Sequence, residues 1–226
     1  MTALRDADAI ANDRVVEAGA RLAESFRPRA TSFLFLRHGR TSANHRGIIQ
    51  GHKNVPLDEV GRAQARAAAG ELGASVVRPK RIIASDLSRA AETARIVATA
   101  LDQRVGTYDR GLRERSFGPI EGTSGRGLLW SGDPEGAEPI AAFVARCAEA
   151  LQRHLAQETV LIVAHGGVLR ATAALLRLPL SEADRANAVP LLFRHEAGSW
   201  GLERLRARAA CAERLQSVAA VPEGWR

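Results

Sequence analysis

Ser32-Phe33-Leu34-Phe35-Leu36-Arg37-His38-Gly39 sets a continuous apolar run directly against an arginine, a histidine and a glycine. A short run with no polar alternation reads as a strand buried on both faces, as in a parallel sheet. Two later stretches repeat the pattern. Arg81-Ile82-Ile83-Ala84, preceded by Pro79, runs into Ser85-Asp86, and Thr159-Val160-Leu161-Ile162-Val163-Ala164 runs into His165-Gly166-Gly167. The third run is the richest in β-branched residues, which suit a strand interior.

Helical patterns lie between these runs. Asp58 is placed to cap a helix from Glu59 to Leu72 that Gly73 would close. Leu87, Ala91, Ala94, Ala98 and Leu101 recur at helical spacing, and 140–155 and 168–176 supply two more helices. Strands alternating with helices predict an α/β fold, a three-layer α/β/α sandwich around a mostly parallel central sheet. Near the end, 191–195 and 200–205 flank Gly198-Ser199 and read as an edge hairpin, which leaves room for a homodimer. Residues 1–31, with weak helical periodicity at Ile10, Val15, Val16 and Leu22, read as a helical N-terminal extension without chemistry of its own. Residues 32–226 are expected to form the main domain, ending in a helix and a Pro222-containing tail.

The chain has 226 residues, 46% of them hydrophobic, enough for one domain with a sizeable core. No apolar run approaches the roughly 20 residues that span a bilayer. The first residues are interrupted by Asp and Glu and do not read as a signal peptide. Cys147 and Cys211 are the only cysteines, with no metal-ligand spacing to the histidines, so a cytoplasmic protein without disulfides or metal is expected. The formal net charge is +7, but the basic residues are scattered Arg, with only Lys53 and Lys80 as lysines. That scatter, with 4% aromatics, argues for a charged surface and against a nucleic-acid partner.

Each buried run delivers polar residues to its carboxyl end, where open parallel sheets form their ligand crevices. Arg37, His38 and His165 gather there, with Arg89 one helical turn beyond Ser85-Asp86. Cations converge at one edge only when an anion compensates them. Phosphate oxygens suit the guanidinium fork, and a helix starting near Thr41 or Ser42 would add N–H donors.

These residues also carry a family likeness. Arg37-His38-Gly39-Arg40-Thr41-Ser42-Ala43-Asn44 resembles the R-H-G-x-T-x-x-N opening of the histidine phosphatase superfamily, which includes the cofactor-dependent phosphoglycerate mutases. The resemblance continues through Gln50-Gly51, Pro56-Leu57, Gly61 and Gln64-Ala65, through 85–94 and 112–118, and through Val163-Ala164-His165-Gly166-Gly167. It implies a phosphoglycerate mutase-like fold and a metal-independent phosphomonoester hydrolase with no cofactor, acting on a small phosphorylated substrate. By the same resemblance His38 would be the nucleophile, forming a phosphohistidine. Arg37, Arg89 and His165 would bind the phosphoryl oxygens, and Glu114 would be the proton donor, with Glu121 as a nearby rival carboxylate. Asn44 and Gly166 would add phosphate contacts, and Gln50 and Gly51 would meet the rest of the substrate. His45, His52, His154 and His195 lack motif context and read as structural or surface residues, with His52 near the pocket mouth.

The chain departs from the family after Phe117-Gly118. Where the mutases carry a longer basic insertion, 119–139 is short and Gly-rich, with Arg126 placed to reach a second anionic group. A small, open lid would expose a phosphohistidine to water and favour hydrolysis over transfer. A phosphoglycerate-type phosphomutase and a catalytically silent phospholigand-binding protein on the same fold remain the alternatives.

Overall fold

The computed structural model describes residues 13–125, 130–155 and 158–205. The expected C-terminal helix and tail, and Arg126, lie outside them. In chain order come α1 (Arg14–Leu22), β1 (Ser32–Arg37), α2 (Ser42–Arg46), α3 (Glu59–Ala74), β2 (Arg81–Ala84), α4 (Ser88–Ala100) and β3 (Val105–Tyr108). Then follow α5 (Ile140–His154), β4 (Val160–Ala164), α6 (Gly166–Leu175), β5 (Pro190–Glu196) and β6 (Ser199–Arg204). Two single 3₁₀ turns, Arg110–Leu112 and Gly118–Ile120, shape the segment between β3 and α5.

The strands form one sheet in the order β3-β2-β4-β1-β5-β6. The first four are mutually parallel, and β5 pairs antiparallel with β1 and with β6. Successive side chains of a strand point to opposite faces, and β1 shows the consequence. Phe33 and Phe35 enter one core with residues of α5 and α6, while Leu34 and Leu36 enter the other with residues of α3 and α4. An uninterrupted apolar run is therefore required, because both faces are covered. The expected three-layer sandwich is the observed one.

Three local readings differ. Strand β3 was not expected: Val105-Gly106-Thr107-Tyr108 is mostly exposed at the sheet edge and carries no apolar run. Gly73 does not close α3; the helix runs on through Ala74 and stops where Ser75 turns extended. The hairpin turns at Ala197 and Gly198, both at positive φ, one residue before the expected pair. Helix α1 lies against α6 so closely that a Cβ on Gly19 would sit 2.4 Å from the Ala174 Cβ, and Val15 is fully buried in the same core as Phe33.

Candidate active site

The chain leaves β1 still attached to the sheet, with His38 N–H donating to Ala164 O at 2.9 Å. The following loop presses onto the start of α3. A Cβ on Gly39 would lie 2.3 Å from Gly61 O, and one on Gly61 would lie 2.0 Å from Arg40 O, so only glycine fits at either position. From α4, the Thr93 hydroxyl accepts the Gly39 N–H at 3.0 Å. Thr41 then caps α2 by accepting Asn44 N–H, while the Asn44 side chain accepts Thr41 N–H in return.

This framework orients the His38 ring. Its Nδ1–H donates to Gly39 O at 2.8 Å, which leaves Nε2 as the nitrogen that bears the lone pair. Arg89 donates its Nε–H toward that atom at 3.3 Å, and its other nitrogens donate to Gly51 O and Lys53 O, each at 2.9 Å. Burial holds the His38 pKa well below the ordinary imidazole value, and the charges of Arg89 and Arg37 push the same way. The ring is thus neutral at neutral pH, with Nε2 unprotonated. Burial also lowers Arg89, to about 10, which leaves it charged.

His165 opens α6 with its ring centroid 5.2 Å from that of His38. Its Nε2 sits 2.8 Å from the Ser85 hydroxyl at the end of β2, and burial, then Arg89, hold its pKa well below the ordinary value. A neutral His165 that accepts the Ser85 O–H at Nε2 carries its proton on Nδ1. Among the described residues, two buried side-chain nitrogens have no hydrogen-bond partner: His165 Nδ1 and Arg37 Nε. An unmet buried donor is costly, so both nitrogens suit an anionic acceptor. Arg37 is otherwise held by donating to Arg185 O, and Asn187 donates to His38 O at 2.8 Å.

Glu114 follows β3 and the first 3₁₀ turn. One carboxylate oxygen accepts Gly167 N–H and the other accepts Arg115 N–H, each at 3.0 Å, and His52 donates Nε2–H to the Glu114 carbonyl at 2.8 Å. A Cβ on Gly167 would lie 2.1 Å from Glu114 Oε1, so the second glycine of His165-Gly166-Gly167 makes room for the acid. Glu121, the rival carboxylate, is occupied elsewhere: Oε1 accepts His52 N–H and Phe117 N–H and organises the loop. His154 is structural, donating to Asp109 at 2.7 Å.

A cavity of about 250 Å³ joins these groups. Arg37, His38, Asn44, Gln50, Gly51, Arg89, Glu114 and Gly166 all line it, and His165 stands beside His38. Sequence reasoning missed Trp130, Arg170 and Arg185, which line the mouth. Arg170 had a usable signal, since it falls one helical turn after Gly166 on the helix that His165 opens. Side chains tie the described part of the lid to the body. The fully buried Arg115 donates to Glu138 O at 2.7 Å, to Gly132 O and to Asp133 at 2.7 Å, and Trp130 packs edge-on against Phe117. Among the described residues, no group of three or more His, Cys, Asp or Glu side chains could hold a metal ion, and no helix is long and apolar enough to cross a membrane.

Residues 33–208 match the family model of the histidine phosphatase superfamily, branch 1. The chain belongs to that superfamily. It is 34% identical over 181 residues to the agropine synthesis reductase of Rhizobium rhizogenes, a match covering 76% of this chain but only 41% of that protein. It is 35% identical over 181 residues to the glucosyl-3-phosphoglycerate phosphatase of Mycobacterium tuberculosis, covering 68% of this chain and 78% of the relative. The solved structure of a mycobacterial glucosyl-3-phosphoglycerate phosphatase in complex with VO3 superposes with a TM-score of 0.60 at 28% identity, covering 79% of this chain and all of that one. Arg37-His38-Gly39 and His165-Gly166-Gly167 stand at the ends of neighbouring parallel strands, with the two imidazoles tilted at 59° to each other.

Proposed function

We propose that this histidine phosphatase superfamily member hydrolyses a small phosphomonoester through a covalent intermediate on His38. The lone pair of His38 Nε2 attacks phosphorus, and the bond from phosphorus to the leaving oxygen breaks as Glu114 gives that oxygen a proton. Glu114 then takes a proton from the incoming water, whose oxygen attacks phosphorus. The P–N bond breaks and returns its electron pair to Nε2. Arg37, Arg89 and His165 Nδ1–H hold the phosphoryl oxygens and offset, from side chains, the negative charge that develops on them in the transition state. The observation that carries this reading is the Nδ1–H bond to Gly39 O, which leaves Nε2 unprotonated beside a guanidinium.

Arg170 and Arg185 at the mouth favour a substrate bearing a second anionic group, since a guanidinium offers only donors. The relatives named as phosphatases support hydrolysis over transfer.

Hydrolysis of phenyl phosphate in excess chelator, wild type against His38→Ala, tests the mechanism. Turnover without added metal is expected, with a loss of at least about 100-fold in the variant, or roughly 3 kcal/mol in barrier. Equal rates in the two proteins would remove His38 from the chemistry. Turnover that requires a bisphosphate activator would favour the mutase instead.

A further inference from the structure

The N-terminal segment touches the pocket mouth at two adjoining residues. Asp13 is 7% exposed and uses both carboxylate oxygens: one accepts Val15 N–H at 3.0 Å and caps α1, and the other pairs with Arg170 Nη1. Arg14 donates its backbone N–H to Trp130 O at 3.0 Å, and its guanidinium lies 3.3 Å from Asp133, which also pairs with the buried Arg115. The triangle is closed by Arg170 itself, whose guanidinium carbon sits 5.7 Å from the centre of the Trp130 ring. Two walls of the pocket, Arg170 from α6 and Trp130 from the lid, are thus tied together by consecutive residues of a segment outside the R-H-G body.

An arginine has several rotatable bonds, and freezing them at the moment of binding weakens binding. A carboxylate that already holds one guanidinium nitrogen removes much of that cost and leaves the remaining donors facing the substrate. We propose that Asp13 is a positioning residue for substrate selection: through its pair with Arg170 it presets the guanidinium that receives the second anionic group of the phosphoester. This rests on the reading of Arg170 given above. Asp13 touches neither phosphorus nor the leaving oxygen, so its effect falls on discrimination between substrates and not on the chemical step.

The test uses the full chain with 3-phosphoglycerate and glycerol 3-phosphate, a matched pair differing by carboxylate against hydroxymethyl. Asp13→Asn keeps an oxygen to cap α1 but loses the charge that holds Arg170, and its melting temperature reports whether α1 stays docked. Expected is a preference of the wild type for 3-phosphoglycerate in KM, and in Asp13→Asn a rise of about tenfold in that KM, with kcat changed by less than about twofold. In an Arg170→Met background the Asn substitution should add nothing, because the two residues act as one unit. Asp13→Glu should restore part of the preference.

An unchanged or lowered KM in a well-folded Asp13→Asn, or full additivity with Arg170→Met, overturns the inference. So does a wild type that treats the two substrates alike. Those failures stay separate from failure of the mechanism, which is read independently from His38 and phenyl phosphate.

Discussion

At the floor of the pocket His38, His165 and Arg89 are at most 2% exposed, and each follows closely on the end of a parallel strand. At the mouth Glu114, Trp130, Arg170 and Arg185 are all partly exposed and come from a loop, a lid, mid-helix and another loop. The floor residues take their places from the strand ends that carry them, as His38 N–H bonded to Ala164 O shows. The mouth is held by side chains, notably the buried Arg115 and the Asp13–Arg170 pair. Positions that must match one phosphoryl group suit the first kind of support. Positions that must suit a particular leaving group can vary on the second without disturbing the sheet.

Several substitutions would break or sharpen this contrast. The largest effect after His38 itself belongs to the floor. Arg89→Met should lower kcat by about 10²- to 10³-fold, with Lys recovering only part of it, since an ammonium cannot reproduce the fork. Removing that charge should also raise the His38 pKa, which NMR titration of the ring can follow. If kcat holds, Arg89 serves only to bind Gly51 and Lys53.

At the mouth, Arg115→Met should cost about 3 kcal/mol in denaturant unfolding, because Asp133 and two carbonyls lose a buried partner. A loss below about 1 kcal/mol would mean that the lid is held elsewhere. Gly167→Ala joins the two regions. Its Cβ would strike Glu114, so kcat should fall about tenfold or more while binding of inorganic phosphate at the floor changes little. Equal weakening of phosphate binding would show that floor and mouth are not separable.

The smallest effect is on stability against pH. The folded pKa values of His38 and His165 lie below the unfolded value, so below about pH 6.5 the unfolded chain takes up protons that the folded chain refuses. Stability should therefore fall as pH drops from about 7 to 5.5, with a slope of up to about 1.4 kcal/mol per pH unit for each ring. Urea unfolding of wild type and His165→Gln should show the variant with the shallower dependence. A flat wild-type profile would mean that both rings take up protons as readily in the folded state as in the unfolded one. Asp58, Asp86 and Asp109, whose pKa values are lowered, add to acid destabilisation only at lower pH.

Strands β1, β2 and β4 were legible because each is buried on both faces and so contains no polar interruption at its centre. Strand β3 was not, because an exposed edge strand has no apolar run to announce it, although it is the strand that delivers Glu114. Glu114 was singled out through family likeness alone. Of the two carboxylates, Glu114 lines the cavity and Glu121 does not.

By itself the sequence determined the sandwich, the strand ends and the cluster of His38, His165, Arg37 and Arg89, because these follow from short-range patterns joined by the rules of parallel sheets. Only the tertiary structure decided the mouth. Asp13 and Arg170 are 157 residues apart and meet through the docking of α1 on α6, with Gly19 against Ala174. No local pattern encodes such a pair, since its partners are chosen by how two helices pack and not by what either helix needs to form.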